Sequence, residues 1–118
     1  MHLFFSRADP DYDGGITGCH KLIGSSEGLG VDCEVHACGP AMRQLMAASR
    51  NSNLYEVNLV HPKCKNPWSL PIYNDQYSDQ LDCIDKNGNV KVSNQPGLGV
   101  KYDWEYIEKN KLQTLILD

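Results

Sequence analysis

The sequence predicts an α/β fold built on short parallel strands, and two observations carry that expectation. Over the first 60 residues, short apolar runs alternate with stretches whose apolar residues recur every three or four positions, in the order strand, helix, strand, helix, strand. The links between these elements are short, and a helix between consecutive strands implies parallel neighbours joined by right-handed crossovers.

Each element has a local reason. Leu3-Phe4-Phe5-Ser6-Arg7-Ala8 is an apolar run stopped by the Asp/Pro/Gly-rich stretch from Asp9 to Gly15, which reads as a buried strand and a loop. A helix is expected from about Ile16 to Glu27, with Ile16, Cys19, Leu22, Ile23 and Leu29 on its apolar side and Gly28 and Gly30 as its stop. Val31 to Ala37 is the second strand, broken by Gly39-Pro40. Pro40 suits the first turn of a helix running through Met42, Leu45, Met46 and Ala48, and Asn51-Ser52-Asn53 ends it. Leu54 to Val60 is the third strand, with Leu54, Val57 and Leu59 apolar.

The second half changes character. His61 to about Ser78 carries Pro62, Pro67 and Pro71, which oppose regular pairing. Leu81 to Val92 reads as a hairpin around Asn87-Gly88. Beyond the loop Pro96-Gly97-Leu98-Gly99, Asp103 can cap a short helix through Lys109. A parallel sheet buries both faces, and two helices are too few to cover one, so the expectation is an incomplete barrel or sheet with open strand edges.

Composition narrows the function classes. With 118 residues, 41% hydrophobic and 22% charged, the chain reads as one soluble globular unit. A net charge of −4 and a pI near 5.5 argue against a nucleic-acid or membrane-surface partner, because both select clustered Lys and Arg. No apolar run approaches a membrane span, and Met1 to Phe5 is too short for a signal-peptide core, which makes the cytoplasm the expected location. Five cysteines at irregular spacings fit reduced thiols better than a disulfide framework.

In parallel α/β folds the site lies at the carboxyl ends of the strands, where loops vary on a rigid scaffold. Each predicted strand places an ionisable residue near that end: Asp9, His36 and Glu56. An imidazole exchanges a proton near neutral pH, and a carboxylate on its far nitrogen fixes the tautomer, so Asp9 and His36 suit an acid/base pair with Glu56 as a further acid. The plainer alternative is that Asp9 caps its loop, His36 is a satisfied strand-end histidine and Glu56 faces solvent.

Other patterns compete. Asp9-Pro10-Asp11-Tyr12-Asp13-Gly14 follows the acidic positions and central glycine of a calcium loop, but its twelfth position is His20, where a bidentate Glu is needed. Cys33, His36 and Cys38 suggest zinc, yet strand alternation would turn Cys33 away from the other two. Arg7, Lys21 and Arg43 are candidate anion contacts, although lone cations on helix surfaces stay solvated. His20 and His61 read as surface or structural residues. The loops at Gly14-Gly15 and Pro96 to Gly99 lack phosphate-loop spacing.

The run from Asp9 through Gly14-Gly15-Ile16-Thr17-Gly18, then His36, Ala47-Ala48 and Tyr55-Glu56, resembles the last barrel strands of the mandelate racemase and muconate lactonizing enzyme-like subgroup of the enolase superfamily. Asp85-Lys86-Asn87-Gly88-Asn89 with Pro96-Gly97-Leu98-Gly99-Val100 is similar to that family's closing segment. The resemblance implies the C-terminal portion of a (β/α)7β, TIM-like barrel over residues 1–62, with three parallel strands and two helices. It assigns residues 63–118 to a closing segment that returns to the capping domain.

It also implies a lyase or isomerase that abstracts the proton α to a carboxylate with Mg²⁺, an acid-sugar dehydratase or else a racemase or epimerase. His36 would be the acid/base, Asp9 its partner, and Glu56 a hydrogen-bonding group on the substrate. The partner would be a small carboxylate, an acid sugar. The family's carboxylate metal ligands and lysine base have no counterpart here, so the expectation is an enzyme fragment, inactive alone, that needs an N-terminal half or another copy of itself. The alternative from another class is a non-catalytic calcium-binding or interaction module built on the Asp9 to Asp13 loop.

Overall fold

A computed structural model of the chain describes residues 5–57, 61, 63, 64 and 70–116. Two strands, β1 (Phe5–Ala8) and β2 (Asp32–Val35), form a two-stranded parallel sheet, with Phe5 opposite Asp32 and Ala8 opposite Val35. The helix α1 (Gly15–Gly28) connects them, α2 (Pro40–Ala47) follows β2, and α3 (Trp104–Asn110) lies near the C-terminus.

Alternation along the strands divides the sheet into two chemically different faces. Ala8, Cys33 and Val35 are buried with Cys19 and Ile23 of α1 and Met42 and Leu45 of α2, and these make the hydrophobic core. Ser6, on the same side, hydrogen-bonds Ser26 of α1 through their hydroxyls at 2.6 Å. The opposite face takes the alternate residues: Phe5 and Arg7 on β1, Asp32 and Glu34 on β2, with His36 next in phase. Cys33 therefore packs as a small hydrophobe rather than a metal ligand. Ile16 and Leu29, expected on the apolar side of α1, are exposed instead. Ile16 is the second residue of α1 and Leu29 its C-cap, so both sit at its ends.

The helix boundaries follow local chemistry. Pro40 occupies the first turn of α2, where its missing N–H costs nothing. The Asp103 side chain accepts from Tyr106 N–H at 2.9 Å and caps α3 as expected. Within α1, Gly18 is required by close approach: a Cβ there would lie 1.8 Å from the Asp13 carbonyl oxygen. Gly18→Ala is therefore expected to destabilise the chain by about 1–3 kcal/mol through overpacking, although alanine is otherwise the better helix former by about 1 kcal/mol. A melting temperature at or above that of the parent would contradict this account.

Three sequence expectations need correction. No third strand is assigned to residues 54–57, and residues 58–60 lie outside the described part. The segment is held beside β2 mainly by side chains, since Glu34 accepts from Leu54 N–H at 3.1 Å and Glu56 accepts from Ala37 N–H at 2.7 Å. Carboxylates there take amide groups that a β ladder would pair.

The hairpin expected from Leu81 to Val92 contracts to one antiparallel bridge, Ile84 to Val90. Leu81–Cys83 is a 3-10 turn, and Asp85 Oδ1 accepts from Asn87 and Asn89 N–H at 2.8 and 2.9 Å. These two bonds, Asn89 first, lower the Asp85 pKa. Finally, the supposedly irregular stretch before Ser78 contributes a bridge of its own, Tyr73 with Tyr102. Asn74 N–H donates to Lys101 O at 2.8 Å beside it.

Candidate functional site

Asp9, His36 and Glu56 meet at one rim, beyond the carboxyl ends of β1 and β2. His36 follows β2 directly and its N–H extends the ladder to Ala8 O at 2.8 Å, which fixes where the ring starts. Asp9 follows β1 and is held on several sides. Its N–H donates to Asp13 Oδ2 at 2.8 Å, its Oδ1 accepts from Asp11 N–H at 2.9 Å, and its Oδ2 lies 2.6 Å from His36 Nδ1.

A carboxylate only accepts, so Nδ1 carries the proton of that contact and Nε2 is the basic nitrogen of the neutral ring. The Asp9 side chain is 12% exposed and that of His36 is 40% exposed, so the pair is anchored inside and open outside.

Glu56 completes the rim. Its Oε2 lies 4.0 Å from His36 Nε2 and 3.9 Å from an Arg7 terminal nitrogen while accepting from Ala37 N–H. Ala37 is the described non-glycine residue with a left-handed backbone, φ 66°. Such a conformation costs roughly 1–2 kcal/mol for an L-residue. Here it turns the N–H toward Glu56 directly after the dyad histidine. Of the three cations weighed from sequence, Arg7 thus belongs to the rim, whereas Lys21 is an exposed helix residue. His20 and His61 are also exposed.

Arg43 is the largest departure from expectation. Only 10% of its side chain is exposed, and it pairs with Asp79 at 2.7 Å. A terminal nitrogen also donates to Ser78 O, and its guanidinium stacks 4.5 Å from the Tyr77 ring centroid. The Tyr55 hydroxyl joins this cluster, donating to Asp79 Oδ1 at 2.5 Å and accepting from Gly39 N–H at 2.9 Å. Arg43 is therefore not a solvated helix cation but the centre of a buried knot tying α2 to residues 78–91.

Burial alone would lower the Arg43 pKa, but the Tyr55 hydroxyl and the Asp79 charge outweigh it and push it above the ordinary arginine value. The signals present in the sequence were Tyr55 and Asp79 themselves. Their pairing with Arg43 spans up to 36 residues, a separation no local pattern encodes.

The aromatic residues around this knot resist ionisation. Burial pushes Tyr55 and Tyr77 well up, helped in each case by Asp79, and burial with Tyr102 pushes Tyr73 up to about 12. The folded chain keeps these phenolic protons where the unfolded chain, with tyrosine pKa values of about 10, sheds them. Stability from this source is intact below about pH 10 and falls as the pH rises toward about 12. Urea midpoints measured through that window are expected to drop, and a flat profile would show the tyrosines to be solvated.

A cleft of about 350 Å³ is lined by Asp11, Cys38, Gly39, Tyr73, Tyr77 and Tyr102 among others, and Asp11 and Cys38 each lie two residues along the chain from the dyad residues Asp9 and His36. Among the described residues no group of three or more His, Cys, Asp or Glu side chains could hold a metal ion. In the 9–13 loop the Asp9 carboxylate serves His36 and Asp11, and Asp13 serves the Asp9 amide. The calcium-loop reading is therefore not favoured, and the described residues do not fit a magnesium site either. Among the described residues no helix is long and apolar enough to cross a membrane.

The sequence model of the enolase C-terminal domain-like family matches residues 5–106. The chain belongs to that family. Within the enolase superfamily it is of the mandelate racemase and muconate lactonizing enzyme-like kind, and its α/β architecture is similar to that of this C-terminal domain. Among solved structures, the magnesium-complexed D-glucarate dehydratase from Agrobacterium tumefaciens matches with a TM-score of 0.75 and 28% identity, over 92% of this chain and 27% of that one. The chain thus spans about a quarter of the length of the dehydratase it matches. A comparison with curated proteins gave no match.

Proposed function

We propose that this enolase-superfamily chain supplies the acid/base side of an acid-sugar dehydratase site. Residues 1–62 form the C-terminal portion of a (β/α)7β barrel in this reading, and residues 63–118 its closing segment. The observation that carries it is the 2.6 Å contact between Asp9 Oδ2 and His36 Nδ1, which leaves Nε2 as the nitrogen open to a substrate.

His36 Nε2 takes the proton α to the substrate carboxylate. The C–H electron pair moves toward that carboxylate to give an enediolate, and the β-hydroxyl then leaves as water with the proton that His36 returns. Asp9 holds the ring in the tautomer this requires and stabilises the imidazolium formed in between. Glu56 Oε2 is engaged by Ala37 N–H, so Oε1 is the oxygen turned to the substrate, and it donates to the reacting carboxylate only in the form in which it carries a proton. The aromatic walls of the cleft at Tyr73, Tyr77 and Tyr102 suit the carbon faces of a sugar chain. Magnesium, carried by the matched dehydratase, has no site among the described residues, so the reaction needs barrel strands beyond this stretch. The reading places the work in the cytoplasm.

The test is deuterium exchange at the α-carbon of six-carbon sugar acids in D₂O with Mg²⁺. It is run on the chain alone and on the chain co-expressed with the part of the matched dehydratase outside the aligned region. Exchange and dehydration are expected only with both parts present. Metal-dependent turnover by the chain alone, as a folded monomer, would refute the divided-site reading. Binding of both parts without exchange would remove His36 from the chemistry.

A further inference from the structure

We infer that Tyr55 is a positioning residue of the rim, its hydroxyl holding the turn after His36 in the shape that keeps Glu56 beside the dyad. The turn has two unusual backbones. Ala37 is left-handed at φ 66°, and Gly39 lies at φ 151°, ψ 168°, a region open essentially to glycine alone. Conformations of this kind persist where their surroundings over-determine them. Here the restraint comes from two consecutive residues. Glu56 Oε2 accepts from Ala37 N–H at 2.7 Å, and the Tyr55 hydroxyl oxygen accepts from Gly39 N–H at 2.9 Å.

The direction of each bond at that hydroxyl is forced. A hydroxyl gives one proton and accepts two. The Asp79 carboxylate, 2.5 Å away, only accepts, so it takes the phenolic proton. Gly39 N–H and Arg43 Nε–H, at 2.9 and 3.3 Å, fill the two acceptor positions. The oxygen is thus fully committed, braced by Asp79 and Arg43 on one side and holding Gly39 on the other.

Glu56 depends on that hold. Among the described residues Ala37 N–H is the one hydrogen-bond donor to its carboxylate, because Arg7 at 3.9 Å and His36 Nε2 at 4.0 Å are beyond hydrogen-bond length. A turn released at Gly39 lets Ala37 relax out of the left-handed region. Glu56 then loses the contact that fixes its distance from His36 Nε2.

Tyr55→Phe removes the hydroxyl and keeps the ring that lies 5.3 Å from the Arg43 guanidinium carbon. Amide hydrogen exchange is followed by NMR on the whole 118-residue chain, parent and variant. In the variant the Gly39 and Ala37 amides are expected to exchange about three- to tenfold faster, the range that one lost hydrogen bond supports. His36 N–H, bonded to Ala8 O, is expected to keep its parent rate. The Ala37 amide decides, since its own acceptor is untouched by the substitution. An unchanged Ala37 rate would overturn the inference, as would an equal acceleration at His36, which marks general loosening. In the parent, Ala37 and Gly39 are expected to show protection equal to within about threefold. A wide gap between them would overturn the shared hold even if the variant does not fold.

The catalytic consequence rests on the acid/base reading of His36 and is measured separately. In the co-expressed system Tyr55→Phe is expected to lower α-carbon exchange about tenfold, with KM changing less. Exchange at the parent rate despite a released turn would overturn the positioning role and leave the acid/base reading standing. A co-expressed parent without exchange would remove the acid/base reading, and the amide rates would then decide whether Tyr55 holds the turn.

Discussion

His36→Asn is expected to lower α-carbon exchange by about 10²–10⁴-fold in the co-expressed system, the range that a positioned acid/base contributes. Asparagine keeps a polar planar group of similar size and can still donate toward Asp9, whose Oδ2 lies 2.6 Å from His36 Nδ1. It cannot accept and return a proton. Binding of the acid sugar is therefore expected to change far less than turnover, the pattern of a group that acts in the transition state. Asp9→Asn separates chemistry from shape in another way. An amide nitrogen facing Nδ1 favours the tautomer that carries its proton on Nε2, so the ring would present a donor where the reaction needs an acceptor. ¹⁵N shifts of the imidazole read that change directly. Exchange at the parent rate in either variant would make His36 a bystander at the rim.

The second large effect is on stability. Arg43 and Asp79 are 10% and 13% exposed and lie 2.7 Å apart, so removing either leaves the other as an uncompensated buried charge. Asp79→Ala and Arg43→Ala are each expected to cost about 3–5 kcal/mol. Replacing both with apolar residues of similar volume is expected to cost much less than the two single changes together, because the remaining desolvation penalty disappears. Denaturant midpoints across this double-mutant cycle measure the coupling. Additive losses would mean that the pair is solvated and that residues 78–91 are held by something else. The loss should reach the rim too, since the Tyr55 hydroxyl bonds both Asp79 and Gly39 N–H and Glu56 is the next residue.

What the sequence made legible was local. The order of β1, α1, β2 and α2 followed from apolar spacing and from stops at Asp9, Gly28, Gly30 and Pro40, each acting within one turn of the chain. The meeting of Asp9 and His36 was legible because parallel strands bring their carboxyl ends together whatever their side chains.

What stayed hidden depended on side chains reaching across long separations. The 54–57 segment has strand composition, yet Glu34 and Glu56 take the amides that would have made a ladder. Arg43 has the spacing of an exposed helix residue until residues 78–91 are laid over it. The left-handed Ala37 had no glycine to announce it.

The cysteines give the chain a built-in depth gauge. Cys64 is exposed and Cys83 half-buried, while Cys19 and Cys33 lie at the centre of the helix and sheet contact. Burial, followed by the charges of Asp13 and Asp9, pushes the Cys19 thiol up, so it stays protonated and poorly nucleophilic. A thiol reagent therefore reads accessibility in order, with surface sulfur first and central sulfur only when α1 lifts from β2. Timed labelling followed by mass analysis would convert that order into the frequency of opening, with no engineered probe and no disturbance of the rim.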